Sequence, residues 1–314
     1  MKIDRRQFIV CSSGALAVIP VARMFGAPRT PAPAPTQALA AAAVPKFGDV
    51  RRNIGTFTMR GGTIGLLVNK DAVLVVDTQY ADTATICLDG LKEKSAGRGI
   101  DLVVNTHHHA DHTGGNGVFR AEAKKLIAQA RVPELQRQAA AAAPNSPPPV
   151  VADTTFDRRW SDRLGDETVS ARYNGPGHTG ADAIVLFERA QVVHMGDLLF
   201  HERHPRVDRA AGASIQNWMT ILDKVAKEMP ADTIYIAGHA KEGLPVTVDR
   251  TALLHFRDYF DAVLSLVRKG IAQGQTKEAI AAAAVLPGFE SYQGGGVLTL
   301  AGVLGVAFDE LTGK

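Results

Sequence analysis

The chain has 314 residues, two cysteines and a formal net charge of +3. Residues 1–40 hold five basic side chains against Asp4, so the rest of the chain carries a net charge of −1 and offers no electrostatic argument for nucleic-acid binding. The roughly 270 residues beyond this N-terminal part suffice for one sizeable hydrophobic core. Cys87 is the single thiol among them, which excludes an internal disulfide there.

The N-terminus is typical of an export signal. A twin-arginine-type motif, Asp-Arg-Arg-Gln-Phe-Ile, occupies residues 4–9, and the apolar run that follows is too short for a permanent membrane helix. A Pro/Ala-rich stretch continues to residue 43, with a candidate cleavage site at residues 38–40. We therefore predict a signal peptide and spacer over residues 1–43, a single domain over residues 44–314, and a periplasmic or secreted protein without stable membrane insertion. A retained membrane anchor is the alternative.

Hydrophobic periodicity predicts the elements of this domain. Strand patterns occur in residues 46–60, 63–77 and 153–200. Helical patterns occur in residues 81–95, 117–130, 214–229 and 249–270. Gly61 and Gly62 supply the positive φ of a tight hairpin between the first two strands, Ser214 caps one helix, and Thr276 opens a further alanine-rich helix. The Gly-rich tail carries no element signal.

The most informative run follows the apolar residues 100–104 and reads Asn-Thr-His-His-His-Ala-Asp-His. It offers four side chains that hold hydrolytic transition metals: His107, His109, Asp111 and His112. In extended backbone His107 and His109 project to one side, and the acidic residue and the last histidine lie past a bend, aimed at a second point. The spacing therefore favours two metals over one. His108, between two donors, should point away from them.

Three further donors lie beside glycines at the ends of apolar strand patterns. They are His178 in Gly-His-Thr-Gly, Asp197 in Met-Gly-Asp, and His239 in Ala-Gly-His-Ala. Strand ends are the usual position of an α/β active site. Of the other histidines, His194 is predicted to be packed in a strand and His255 to lie on a helix.

Together these motifs resemble the metallo-β-lactamase superfamily of metal-dependent hydrolases. The resemblance covers about residues 46–245 and implies an α/β fold, a four-layered αβ/βα sandwich with the site at one edge. It also implies that His107, His109 and His178 hold a first metal, that Asp111, His112 and His239 hold a second, and that Asp197 bridges both. Two zinc ions per chain are expected, with iron or manganese as alternatives.

Departures from the best-known β-lactamase subclass weigh against efficient penicillin hydrolysis. Asp197 and Phe200 stand where that subclass has a cysteine and a lysine. The full donor set is similar to that of thioester hydrolases, lactonases, phosphodiesterases and alkylsulfatases. We therefore expect cleavage of an ester, thioester, lactone or β-lactam-type bond in a small molecule, by a hydroxide shared between the metals and oriented by the catalytic carboxylate Asp111.

Two other functions stay open: an iron-dependent persulfide dioxygenase, and a non-catalytic metal-binding accessory of a periplasmic redox system. Substrate choice would come from residues 200–209, whose arginines and histidines either hold an anionic substrate or form a solvated charged loop. Trp218 is predicted to pack in a helix interface. The sequence leaves the substrate and the oligomeric state undetermined.

Overall fold

A computed structural model of the protein describes residues 44–143 and 147–313. The strands of the first sheet are Lys46–Arg51 (β1), Ile54–Thr58 (β2), Ile64–Val68 (β3), Val73–Val76 (β4), Ile100–Asn105 (β5), Ala123–Gln129 (β6) and Thr154–Phe156 (β7). They lie in chain order, antiparallel from β1 to β4 and parallel from β4 to β7. The helices of this half are Ala81–Lys94 (α1), Ala110–Thr113 (α2), Asn116–Arg120 (α3) and Val132–Ala141 (α4).

The second sheet follows in the chain. Its strands are Arg159–Leu164 (β8), Glu167–Tyr173 (β9), Ala183–Phe187 (β10), Val192–His201 (β11), Ile234–Ala240 (β12) and Thr247–Val248 (β13). All neighbours are antiparallel except the parallel pair β11 and β12. The helices of this half are a 3-10 turn at Arg209–Ala211, Ile215–Glu228 (α5), Arg250–Ala272 (α6), Lys277–Ala281 (α7) and Leu300–Thr312 (α8).

Alternation along the strands creates three apolar layers. On β4, Val75 packs with Cys87 of α1, whereas Leu74 belongs to the core that the two sheets share. On β10, Val185 faces that shared core, and Ile184 packs with the core under α5, α6 and α8. Helices therefore cover the outer face of each sheet, and the predicted four-layered sandwich is confirmed.

Local signals explain the helices that were predicted correctly. The Ser214 side chain accepts a hydrogen bond from the backbone N–H of Asn217 and caps α5, and the Thr276 side chain accepts one from Ala279 and caps α7. The long helix α6 begins after Asp249, whose side chain accepts from the Ala252 N–H. Among residues 44–143 and 147–313, no helix combines the length and apolar character needed to cross a bilayer.

Three element predictions were wrong in detail. The first strand pattern is two strands, because Arg52 and Asn53 adopt positive φ and turn β1 back onto β2. The second strand pattern, residues 63–77, is the antiparallel pair β3 and β4. Residues 117–130 were predicted to be helical, but only α3 is; residues 123–129 form β6 between two parallel neighbours. Helix α8 was missed in the Gly-rich tail. The predicted signal and spacer over residues 1–43 lie outside the described residues.

Candidate metal centre

The histidine-rich run begins where β5 ends, at Asn105. His109 has extended backbone (φ −64°, ψ 147°) and precedes the short helix α2, which carries Asp111 and His112. This bend separates the two pairs of donors, as the spacing predicts. The Thr106 hydroxyl lies 3.0 Å from His107 Nδ1, which leaves the other nitrogen of that ring free to face the site.

The first cluster joins donors from both sheets. The ligand atoms of His107, His109, His178 and Asp197 all lie within 4.8 Å of one another, and all four side chains are buried. His109 Nδ1 is 2.9 Å from His178 Nε2. Asp197 Oδ2 is 3.4 Å from His178 Nε2 and 3.9 Å from His107 Nε2. His107 and Asp197 are 90 positions apart in the chain, and they converge because the end of β5 meets the middle of β11 across the sandwich.

The second cluster lies on the other oxygen of the same carboxylate. Asp197 Oδ1 is 3.0 Å from His112 Nε2 and 3.4 Å from His239 Nε2. Asp111 Oδ2 is 3.2 Å from His239 Nε2 and 3.8 Å from His112 Nε2. The structure therefore brings all seven predicted donors together, in two groups that meet at Asp197.

The chemistry of these atoms fits a metal ion. His107 Nε2 is buried and has no hydrogen-bond partner, a costly arrangement unless a cation binds it. Imidazole nitrogens with carboxylate oxygens form the donor set of hydrolytic zinc sites. The clusters can therefore hold metal.

Electrostatics differ between the clusters. In the first, burial lowers the pKa of His109 to about 4, so its ring is neutral at pH 7, the form that binds metals. In the second, burial acts the same way, but the carboxylates of Asp197 and Asp111 raise the pKa of His239 to about 9. For Asp197 burial is outweighed by His239 and His112, which hold its pKa well below the ordinary range. The second cluster thus favours a positive charge between its carboxylates.

Close backbone approach shapes the site at two glycines. A Cβ on Gly238 would lie 2.1 Å from Asp197 Oδ1, and a Cβ on Gly62 would lie 2.1 Å from His112 Cε1. Gly62 belongs to the loop between β2 and β3, which therefore covers the His112 ring. Both hairpin glycines were predicted to have positive φ, but only Gly61 has it, at 111°. Gly62 is needed for space instead.

Sequence reasoning missed two carboxylates that touch donors from outside. Asp77 Oδ2 is 2.8 Å from His112 Nδ1, and the Asp77 carboxylate also accepts from the Thr106 N–H. Asp208 Oδ2 is 2.8 Å from His109 Nε2. The position of Asp77 directly after the apolar β4 is a signal that could have found it; Asp208 carries none, because it lies in an irregular segment.

Other predicted positions are mostly confirmed. His194 is buried in β11, and Trp218 is fully buried under α6. His108 belongs to neither cluster, but its Nε2 lies 4.0 Å from Asp208 Oδ2, and His108, His109 and Asp208 form a third group of side chains that could hold a metal ion. The charged loop is only partly solvated: Glu202 pairs with Lys241, whereas the predicted counter-charge Asp208 is buried. Phe200 is also buried, with its ring stacked 5.4 Å from that of His239. It therefore offers no cation for an anionic substrate.

Residues 58–239, more than half of the chain, match the metallo-beta-lactamase superfamily. The chain is a member of this superfamily. The superfamily match contains every donor of both clusters. Its members hydrolyse substrates with the help of bound metal, so the protein is a metal-dependent hydrolase.

Relatives within the superfamily are distant. Metallo-beta-lactamase type 2 of Bacillus cereus is 27% identical over 195 residues, which cover 62% of this chain and 71% of the relative. A probable metallo-hydrolase of Methanocaldococcus jannaschii is 26% identical over 188 residues, 57% of this chain and 87% of the relative.

Solved structures share the superfamily fold. The stereoselective inverting sec-alkylsulfatase from Pseudomonas sp. matches 85% of this chain with a TM-score of 0.65 and 16% identity, and this chain spans 50% of its length. The DIM-1 metallo-beta-lactamase matches 69% of this chain and 97% of its own length, with a TM-score of 0.55 and 20% identity. At these identities the likeness concerns the fold.

Proposed function

We propose that the protein is a dinuclear zinc hydrolase that cleaves an ester, thioester, lactone or β-lactam-type bond in a small molecule. One observation carries the proposal: the two oxygens of Asp197 face different donors. Oδ2 lies 3.4 Å from His178 Nε2, and Oδ1 lies 3.0 Å from His112 Nε2. A carboxylate placed in this way can bind two neighbouring cations at once.

Each cluster would hold one cation. His107, His109 and His178 would bind the first through Nε2, Nδ1 and Nε2, the nitrogens that converge in the structure. The second would be held by Asp111, His112 and His239, with Asp197 shared by both. Imidazole-rich donors favour zinc, and iron and manganese are the alternatives that metal analysis tests.

Bound zinc ions supply Lewis acidity and a hydroxide nucleophile at neutral pH. Asp111 has the task of orienting the attacking water. Its carboxylate is the most exposed of the donors, at 26%, whereas the first cluster is buried. An ionised carboxylate at the open side can accept a hydrogen bond from water and later a proton. His239 Nε2 lies 3.2 Å from Asp111 Oδ2, so a cation bound by this nitrogen would also be within reach of that carboxylate.

The relatives and the surroundings of the site support a choice of candidate substrates. The β-lactamase relatives make a β-lactam one candidate, but the buried Phe200 provides no charge to hold such a substrate's carboxylate. The structural match to the alkylsulfatase covers 85% of this chain, whereas the match to the DIM-1 β-lactamase covers 69%. A substrate panel should therefore contain esters, thioesters, lactones, β-lactams and a secondary alkyl sulfate.

The test compares the zinc-reconstituted protein with two variants. His178→Ala should lose bound zinc and turnover together, whereas His255→Ala, at an exposed histidine on α6, should keep both. Full turnover by metal-free His178→Ala protein would defeat the proposal. One iron per chain with oxygen uptake would favour the persulfide dioxygenase, and full metal loading without turnover on the whole panel would favour the accessory protein.

A further inference from the structure

The segment Arg206-Val207-Asp208 touches two histidines of the first cluster from their outer side. Asp208 Oδ2 lies 2.8 Å from His109 Nε2. His178 Nδ1 lies 2.7 Å from the backbone oxygen of Arg206, and the Asp208 N–H donates to the backbone oxygen of His178 at 3.0 Å. Three short polar contacts thus join this segment to the cluster.

These contacts assign a task to each nitrogen of the two rings. The inner nitrogens, His109 Nδ1 and His178 Nε2, lie 2.9 Å apart at the centre of the cluster. A neutral imidazole that binds a cation through one nitrogen carries its proton on the other. The outer nitrogens therefore donate to Asp208 and to the Arg206 carbonyl, which sets the tautomer and the angle of both rings.

Asp208 is itself held firmly. Its Oδ1 accepts a hydrogen bond from the Ala211 N–H at 3.2 Å, and its Oδ2 lies 3.0 Å from the guanidinium of Arg206. The side chain is 10% exposed, so its charge is largely shielded from water and is balanced by Arg206. Such a carboxylate cannot turn away from His109 without breaking several contacts.

The second cluster has less support of this kind. Asp77 holds the outer nitrogen of His112. His239 is 13% exposed, and within the described part of the chain its Nδ1 forms no hydrogen bond. Asp111 is more exposed still. The two clusters therefore differ in how far their donors are oriented before a cation arrives.

We propose that Asp208, aided by the Arg206 carbonyl, is a positioning residue that makes the first cluster the site that a divalent cation fills first. The inference rests on the proposed function, in which these clusters bind zinc. Removing such an outer carboxylate typically lowers metal affinity by about 10- to 100-fold, and the loss should fall on the first binding step.

The experiment titrates the metal-free full chain with Zn²⁺ against a chromophoric chelator, and records the visible spectrum after one equivalent of Co²⁺. Asp208→Ala should weaken the first binding step by about 10- to 100-fold and alter the cobalt spectrum. Asp208→Asn, which keeps an acceptor oxygen but no charge, should lie between Asp208→Ala and the wild type. Glu202→Gln is the matched control. Glu202 lies in the same loop as Asp208, but it pairs with Lys241 and touches no donor.

Circular dichroism and thermal unfolding of the metal-free variants show whether each one folds. If Asp208→Ala does not fold, the zinc titration and the cobalt spectrum of Asp208→Asn test the inference. Wild-type affinity and an unchanged cobalt spectrum in the folded Asp208 variants would overturn the inference, as would an equal loss in Glu202→Gln. If the wild type binds one zinc only, the dinuclear function fails, but a weakened step in the Asp208 variants still supports the role of Asp208.

Discussion

Replacing Gly62 by alanine should damage the second cluster while leaving the fold intact. The new Cβ would lie 2.1 Å from His112 Cε1 and 2.3 Å from Nε2, whereas ordinary contacts begin at 3.4 Å. Neither the His112 ring nor the Gly62 backbone can move easily to relieve this overlap. His112 is fully buried and held by Asp77 at 2.8 Å, and the Gly62 backbone is bonded to the Asp111 carbonyl and to the Gln79 side-chain amide.

The overlap requires a displacement of about 1 Å, and a misplacement of that size at a reacting centre can lower the rate by about 100-fold. We therefore expect Gly62→Ala to lower kcat/KM by about 100-fold and the zinc content of the second site. Turnover on the best substrate of the panel and metal analysis of the dialysed protein measure both. Gly117→Ala is the matched control, because a Cβ there would meet only Val150 at an ordinary 3.5 Å. Wild-type kcat/KM and zinc content in Gly62→Ala would refute the reasoning.

Three further predictions concern other parts of the chain. Burial raises the pKa of the Cys87 thiol, so a thiol reagent should modify this residue only after denaturant unfolds the protein; rapid labelling of the native protein would contradict this. Burial lowers the pKa of His204, so the unfolded state binds more protons and the free energy of unfolding should fall as the pH drops below 6.5. In urea titrations at pH 5 and 7, His204→Gln, which cannot titrate, should show a smaller change in the free energy of unfolding than the wild type, and an equal change would count against the prediction. Arg5→Lys with Arg6→Lys should block the proposed twin-arginine export, so fractionation should find the protein in the cytoplasm, and periplasmic protein in the double variant would exclude that route.

The donors were predictable because each has a local signature. His178, Asp197 and His239 all stand beside a glycine after an apolar run, and both the residue type and this short spacing are visible in one sequence. The structure places only His239 near a strand end, whereas Asp197 lies in the middle of β11 and His178 in the loop after β9. The outer partners were not predictable in the same way. Asp208 lies 99 positions from His109, and nothing near either residue indicates that the two side chains meet.

The element errors have similar physical causes. In residues 117–130 the apolar positions suit a helix, but β6 gains hydrogen bonds from β5 and β7, and this tertiary pairing outweighs the local preference. Helix α8 could have been found, since Thr299 caps a run with apolar residues at helical spacing, at 300, 303, 304 and 307. Abundant glycine hid that pattern.

The split origin of the donors also bears on the order of folding. The run from His107 to His112 is contiguous, so four donors lie near one another even in an unfolded chain and can bind zinc weakly there. His178, Asp197 and His239 belong to the other half of the sandwich and join them only once the sheets have docked. Tight zinc uptake during refolding would therefore time the docking of the two halves, separately from the formation of either sheet.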